Sequence, residues 1–478
     1  MNIGCYIPFT TFTPQFQHFL NLMEDLTDKG MNVMSFGCGG ELPACYTNVH
    51  HSKSKCNVCL GRRKRAIEIV DPKIKHFDSK NLSSEDEKAI ADFLAKIEFK
   101  NISDVKKVTY GKFDVGMAVA SSLITNFRNP NPDLSKHTQI VRNFFEASVS
   151  MYVYMLNNIK QYSIEEFYIF NGRHGITRAA IRAAEHSGID YYSLELGSAA
   201  DRYRLAKNAL PHNAEKLRLR IIEDWKKADK ATREKDGCIF FEDKKAGREL
   251  HKKWNYIKDQ VAGLLPKDWD HKKKNIVIFN SSEDEYEAVK DGRSGSVYPN
   301  QREAIRLLTE GLLDQQDSTR VYLRMHPNMA NKEESANNFL AIKSPILTTI
   351  PPLDPISTYD LVENADIVVA FHSTVGIEAA YAGKPVVVLG SVAYKTLGST
   401  YDPDSHEETL KLLQSDLVAK PKEGALMYGH YFMFSDIKAP KYKYSDLHNG
   451  TYKGHNIRAN FLVEVRNKAL ALFDKPLS

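Results

Sequence analysis

The sequence predicts two doubly wound α/β domains in one chain of 478 residues. Strand-like segments alternate with amphipathic helices along most of the chain, the order that a parallel sheet requires. Two strands, Ile367–Phe371 and Pro385–Leu389, are almost wholly apolar, as strands covered by helices on both faces must be. The length exceeds what one ordinary core organises.

The elements follow in order. Ile3–Pro8 reads as a strand, Gln15–Lys29 as an amphipathic helix closed by Gly30, and Asn32–Phe36 as a second strand. Helices are expected over Ser84–Phe99 and Lys136–Lys160. Glu166–Phe170 then reads as a strand, Asn171–Gly175 as a turn, Thr177–Ser187 as a helix and Asp190–Glu195 as a strand. Helices over Ala214–Ala231 and Lys244–Leu265 close a first domain of residues 1–265. The polar, Pro-containing stretch 266–274 reads as a linker.

A second series fills 275–430. Its strands are Asn275–Asn280, Arg320–Met325, Ile346–Thr349, Ile367–Phe371 and Pro385–Leu389. Its helices are Pro299–Gln315, one from Asn331, Ser357–Asn364 and Ser373–Ala382. Residues 431–478 form a tail, with a helix over Asn456–Phe473 that is expected to pack back on the first domain. The Tyr-, Lys- and Ser-rich part of this tail reads either as a lid or as a surface loop.

Apolar residues are 42% and charged residues 26%, the balance of a folded globular protein. Apolar runs fall far short of the roughly 18 residues of a spanning helix. The first residues carry acids early and no basic stretch, which predicts no signal peptide and a cytoplasmic setting. A net charge of +5, from 65 basic and 60 acidic residues, argues against a nucleic-acid partner. The run Arg62-Arg63-Lys64-Arg65 has two readings: a solvated face, or peripheral contact with anionic lipid or glycan at the inner face of the membrane.

Four of the six cysteines, Cys38, Cys45, Cys56 and Cys59, lie within 22 residues, the last two as Cys-x-x-Cys. Four thiolates could hold a structural zinc ion, with His50 and His51 as substitutes; unliganded or redox-active thiols are the other reading.

Ligands of open α/β sheets bind beyond the carboxyl ends of the strands, so the residues there decide function. The first strand of domain two delivers Ser281, Ser282 and Glu283, which either meet phosphate and sugar oxygens or cap the next helix through Ser282 and Glu285. The next strand ends in Arg324-Met-His326-Pro327. Its guanidinium offers a fork for phosphate and its imidazole a proton donor near neutral pH. The apolar strand at 367–371 leads into Ser373-Thr374-Val-Gly376-Ile-Glu378. Hydroxyls and free N–H groups there suit an anion, and a carboxylate one turn on suits ribose hydroxyls. In domain one the corresponding residues are Asn171, Arg173, His174 and Glu195.

These pieces together resemble GT-B glycosyltransferases of the bacterial capsule polysaccharide biosynthesis type, with Kdo transferases and GT-B sialyltransferases as wider relatives. The likeness is carried by Ser281-Ser282-Glu283, by Arg324-x-His326-Pro327 and by Ser373-Thr374-x-Gly-x-Glu378 before Gly383-Lys-Pro385. Asn171-Gly-Arg173 with Glu195-x-Gly197 joins them in domain one. The sharp motifs span about residues 275–390. The resemblance implies two Rossmann-like domains facing across a cleft and transfer of a sugar from a CMP- or UDP-linked donor to a growing glycan or glycolipid, capsule or lipopolysaccharide O-antigen. Carried over, His326 stabilises or protonates the leaving phosphate with help from Arg324. Ser373 and Thr374 hold phosphate, and Glu378 holds ribose. No Asp-x-Asp pair at a strand end signals a divalent ion, so transfer is expected to need no metal cofactor. Glu195 or His174 is then the candidate base for an inverting route, or a carboxylate the nucleophile of a retaining one. Arg173 either joins that site or only pairs with Glu195. A sugar-nucleotide 2-epimerase, a polyol-phosphate transferase of the teichoic-acid type and a non-catalytic nucleotide-sugar binder remain the rival readings.

Overall fold

The structure, a computed structural model, describes residues 1–78, 82–248, 259–282, 288, 297–331, 333–446 and 449–458, with the backbone alone at 331 and 333–336. Glu283 and Glu285 lie outside the described residues, as does the expected C-terminal helix from residue 459 on.

The chain divides into two units. The first comprises Met1–Pro211 and the chain from Asp436 on, with a short stretch, Asp284–Val289, lying mostly outside the described residues. Its sheet uses β1 (Asn2–Tyr6), β2 (Asn32–Gly37), β3 (Lys75–Asp78), β4 (Glu166–Phe170), β5 (Asp190–Leu196) and β6 (Arg202–Lys207). The sheet is completed by a two-residue strand from the tail, Ile437–Lys438, and runs tail strand-β6-β5-β4-β1-β2-β3. β1 pairs in parallel with both β2 and β4, which places the switch of winding direction between β1 and β4. The core includes Ile3, Phe36, Phe167 and Ile169, and the buried helices Val115–Phe127 and Thr138–Gln161 cover it.

The second unit comprises His212–Glu283 and Lys290–Ser435. β7 (Lys274–Phe279), β8 (Thr319–Arg324), β9 (Leu347–Ile350), β10 (Ile367–Ala370) and β11 (Val386–Val388) form an all-parallel sheet. Its order, β11-β10-β7-β8-β9, is doubly wound with the switch between β7 and β10. The valines of β10 and β11 are fully buried, as the apolar runs require.

The division falls after Pro211 rather than after residue 265. Helices Ala214–Lys227 and Arg233–Lys245 carry Ile221, Phe240 and Phe241 into the core of the second unit, where Phe240 meets Tyr428 edge-on at 5.6 Å. Helix Arg233–Lys245 stops just before Gly247, which adopts a left-handed φ of 65°, and residues 249–258 of the helix expected over 244–265 lie outside the described residues. The linker stretch packs within the second unit: Trp269 stacks on Tyr322 at 4.5 Å.

The tail is neither a lid nor a plain loop. Tyr442–Asp446 and Asn449–Tyr452 form a hairpin whose buried Tyr442 and Tyr452 join the core of the first unit. Tyr452 donates to Glu24 at 2.9 Å, and Lys441 lies 3.1 Å from the same carboxylate. Burial would raise the Glu24 pKa, but Lys453, Tyr452 and Lys441 together hold it below the usual range. Two of the four cations in the Arg62–Arg65 run also turn inward, contrary to both sequence readings. Arg62 donates to Thr13, and Arg63 donates to Asp78 and to the Phe77 carbonyl, so only the rest of the run faces solvent. Among the described residues no helix is long and apolar enough to cross a membrane.

Candidate active site

In the first unit the sequence-predicted residues meet where β4 and β5 end. Asn171 takes a left-handed φ of 53°, a conformation its short polar side chain tolerates. Its Oδ1 accepts the Arg173 N–H at 3.2 Å, which turns Nδ2 toward Glu195 Oε2, 2.5 Å away. Gly172 is required at the next position. Its φ is 90°, and a Cβ there would lie 2.0 Å from Ile181 Cδ1. The Leu196 N–H donates to Glu195 Oε1 at 3.0 Å.

Burial pushes the Glu195 carboxyl above the ordinary range even though Leu196, Asn171, Arg173 and Arg204 all pull it down. A carboxylate so placed is a proton acceptor with unusual basicity. Arg173 is therefore a charge near Glu195, while the direct hydrogen bond comes from Asn171. His174 precedes the next helix as its N-cap residue. Its carbonyl accepts the Arg178 N–H at 2.7 Å at the start of helix Gly175–His186, and its ring stacks on Tyr46 at 3.8 Å. It is 3% exposed.

Sequence reading missed Arg204 and Asp436. Arg204 sits opposite Glu195 in the β5–β6 register, and its guanidinium pairs with the fully buried Asp436 carboxylate, which also accepts the Ser198 N–H. Cross-strand spacing was the signal, but β6 itself was not expected.

In the second unit the strand ends form two groups. The first lies at the switch between β7 and β10. Asn280 Oδ1 accepts the His326 N–H at 2.8 Å, and Ser281 Oγ hydrogen-bonds His372 Nδ1 at 3.3 Å. The Ser281 N–H donates to Gln301 at 2.8 Å, which fixes the turn after β7. Ser282 is buried beside it at 5% exposure. His326 Nδ1 accepts the Asn328 N–H at 3.1 Å, so the neutral ring carries its proton on Nε2. His372 was missed, although it directly precedes Ser373.

The second group is knitted shut. Glu378, 8% exposed, accepts from Tyr359 at 2.8 Å and from Thr374 at 2.9 Å, and its Oε1 lies 3.3 Å from Lys244. Both carboxylate oxygens, expected to meet a ribose, are held by this unit's own side chains. Ser373 Oγ accepts the Val375 N–H at 3.2 Å, while its carbonyl accepts from Tyr394 at 2.6 Å. Gly376 lets Tyr394 approach, because a Cβ would lie 2.5 Å from its hydroxyl. The helix spans only Val375–Tyr381, shorter than the sequence predicts.

Arg324 is likewise engaged within this unit. Its two terminal nitrogens donate to the carbonyls of Pro351 at 2.6 Å and Asp354 at 3.0 Å, and the side chain is buried. It braces the loop after β9.

The expected zinc site is not assembled either. Among the described residues no three His, Cys, Asp or Glu side chains are placed to hold one metal ion. Each of the four clustered sulfurs has its own local hydrogen bond.

Two Rossmann-like units with functional groups at their strand ends define the GT-B class. Within it, residues 239–428, less than half of the chain, match the family model of capsule polysaccharide biosynthesis proteins. That match lies within the second unit apart from the short stretch Asp284–Val289. No curated protein matches the sequence. Among solved structures, a β-Kdo 2,4-transferase (KpsC) of Thermosulfurimonas dismutans is 12% identical, with a TM-score of 0.38 over 64% of this chain and 87% of that one. The β-Kdo 2,7-transferase of the same organism is 16% identical, with a TM-score of 0.37 over 68% and 90%. A UDP-GlcNAc 2-epimerase of Neisseria meningitidis is 10% identical, with a TM-score of 0.31 over 91% and 99%. TM-scores this low carry no argument about activity.

Proposed function

We propose that the protein is a glycosyltransferase that moves a sugar from a nucleotide-linked donor, CMP- or UDP-linked, to a growing surface glycan or glycolipid without a divalent metal. The observation that supports it best is the grouping at the β7–β10 switch: Ser281, Ser282, His326 and His372 supply hydroxyls and imidazoles where an open sheet takes its ligand. The match over residues 239–428 points the same way.

In this reading the second unit binds the donor. The His326 Nε2–H donates to the phosphate oxygen on which negative charge builds as the glycosidic bond breaks. Ser281 and His372 hold a neighbouring oxygen. On the first unit, Glu195 takes the proton of the acceptor hydroxyl, and Asn171 orients its carboxylate. A base and a separate leaving-group donor are the pair that an inverting displacement uses.

The test is incubation with CMP-, UDP-, GDP- and CDP-linked donors, with and without an oligosaccharide acceptor, in the presence of EDTA. Nucleotide release that depends on acceptor and is indifferent to EDTA is expected. A 2-epimer formed from donor alone overturns the reading in favour of an epimerase. Binding of nucleotide with no turnover of any donor leaves only a binding module.

A further inference from the structure

At Asp436 the chain returns to the first unit, and the side chain there has no solvent exposure. Ile437 and Lys438 pair with Tyr203 and Arg202 of β6, and the Ala439 N–H donates to the Asp201 carbonyl at 2.8 Å. Backbone pairing thus delivers the carboxylate to the β5–β6 turn, and charge is not its only anchor. Its Oδ2 accepts the Ser198 N–H and its Oδ1 the Arg204 Nε–H, with Arg204 Nη2 3.4 Å from Oδ2.

The turn is shaped to admit it. The Gly197 N–H donates to the Arg202 carbonyl at 2.8 Å, which closes β5 onto β6. A Cβ at Gly197 would lie 2.6 Å from Asp436 Oδ2 and 2.8 Å from the Arg202 backbone. The glycine of Glu195-x-Gly197 therefore makes room for the Asp436 carboxylate.

Glu195 and Arg204 are register partners across β5 and β6. Directly opposed side chains share one face, with Cβ atoms about 4.5–5.5 Å apart. An arginine so placed ordinarily pairs with the carboxylate opposite, which holds the acid ionised and weakens it as a base. Here Asn171 donates to Glu195 Oε2 and the Leu196 N–H to Oε1, while Arg204 donates to Asp436. Arg173 acts on the same carboxylate from the turn after β4. His18, on helix Thr13–Asp28, directs its Nε2 at the Ala200 carbonyl, 2.8 Å away. Asp190 and Lys207, at the far end of the β5–β6 pair, bind each other at 2.6 Å.

We infer that Asp436 is a positioning residue for Glu195: it keeps the Arg204 guanidinium on its own carboxylate and so preserves the base across the strand pair. The inference rests on the reading of Glu195 as that base. Without the Asp436 charge, Arg204 acts on Glu195 unopposed and favours its ionised form. The base form then survives to lower pH and accepts a proton less strongly.

The test is the acid limb of kcat/KM in two variants that break the same ion pair from opposite sides. Asp436→Asn should move the limb to lower pH and lower the plateau severalfold, whereas Arg204→Gln should move it to higher pH. A merely structural pair predicts lost stability in both and no opposed shifts. Limbs that stay put, or that move in the same direction, overturn the inference. Should the single variants fail to fold, the Arg204→Gln/Asp436→Asn double variant removes both charges and should keep the limb close to its wild-type position. A limb displaced in that variant overturns the inference. The same shifts are read without substrate in the carboxyl titration of Glu195, by infrared difference against Glu195→Gln. Opposed shifts there with no sugar transfer uphold the role of Asp436 and sink only the proposed activity.

Discussion

The two units carry their polar residues at the same place, the carboxyl ends of a doubly wound sheet, and use them in opposite ways. In the second unit the most motif-like residues, Thr374 and Glu378, are satisfied by Tyr359 and Lys244, and the terminal nitrogens of Arg324 donate to backbone carbonyls. In the first unit the weaker motif leaves a carboxylate whose neighbours do not offset the effect of burial. A sharp sequence pattern can therefore be scaffold, and a dull one can hold the group with chemistry in reserve. An unusual pKa at a strand end is the better mark of function.

The largest effect should come from removing the two reactive groups. Glu195→Gln and His326→Ala are each expected to lower transfer about 100- to 10,000-fold, the range for one positioned acid or base. Circular dichroism and thermal melting should stay near wild type. If only one of the two loses activity, the division of roles between the units is wrong on the other side.

Arg324→Met should act on stability rather than on turnover. It strands the Pro351 and Asp354 carbonyls, each at a cost of about 1–3 kcal/mol if it stays buried. Urea midpoints should fall while KM for the donor holds in the folded fraction. A raised KM with unchanged stability would return Arg324 to the phosphate.

Asn171→Ala sharpens the contrast through pH. The Glu195 pKa is raised, so its base form is lost as pH falls through that raised value, and kcat/KM should show an acid limb there. Removing the Asn171 hydrogen bond, which stabilises the carboxylate, moves the pKa further up and the limb to higher pH. A limb that stays put or moves down excludes Glu195 as the titrating base.

Much of the sheet framework was legible in sequence, because buried parallel strands are apolar and their neighbours must be helices. Strand Glu166–Phe170 was read residue for residue. What escaped notice depends on distant partners. β6 alternates only over Arg202–Leu205, and its Arg204 pairs with Asp436, more than two hundred residues on. The unit boundary escaped because Phe240 and Phe241 look like any amphipathic stripe until Tyr428 is beside them. The candidate site was legible as residue types but not as roles: Arg324 and Glu378 are polar at strand ends in either case, and only their partners tell brace from ligand.

Tyr359→Phe is the smallest perturbation and the finest test of that last point. The hydroxyl gives Glu378 one of its neutral hydrogen bonds, and deletion should cost about 0.5–1.5 kcal/mol. Thr374 and Lys244 still hold Oε1, so the side chain should stay where it is. If Glu378 is scaffold, stability drops slightly and donor KM is unchanged. If Glu378 is instead a ribose ligand parked against Tyr359, freeing Oε2 removes a competitor of the sugar hydroxyls, and donor KM falls. The sign of the KM change, read beside the melting curve, therefore separates the two roles of a residue that sequence alone presents as one.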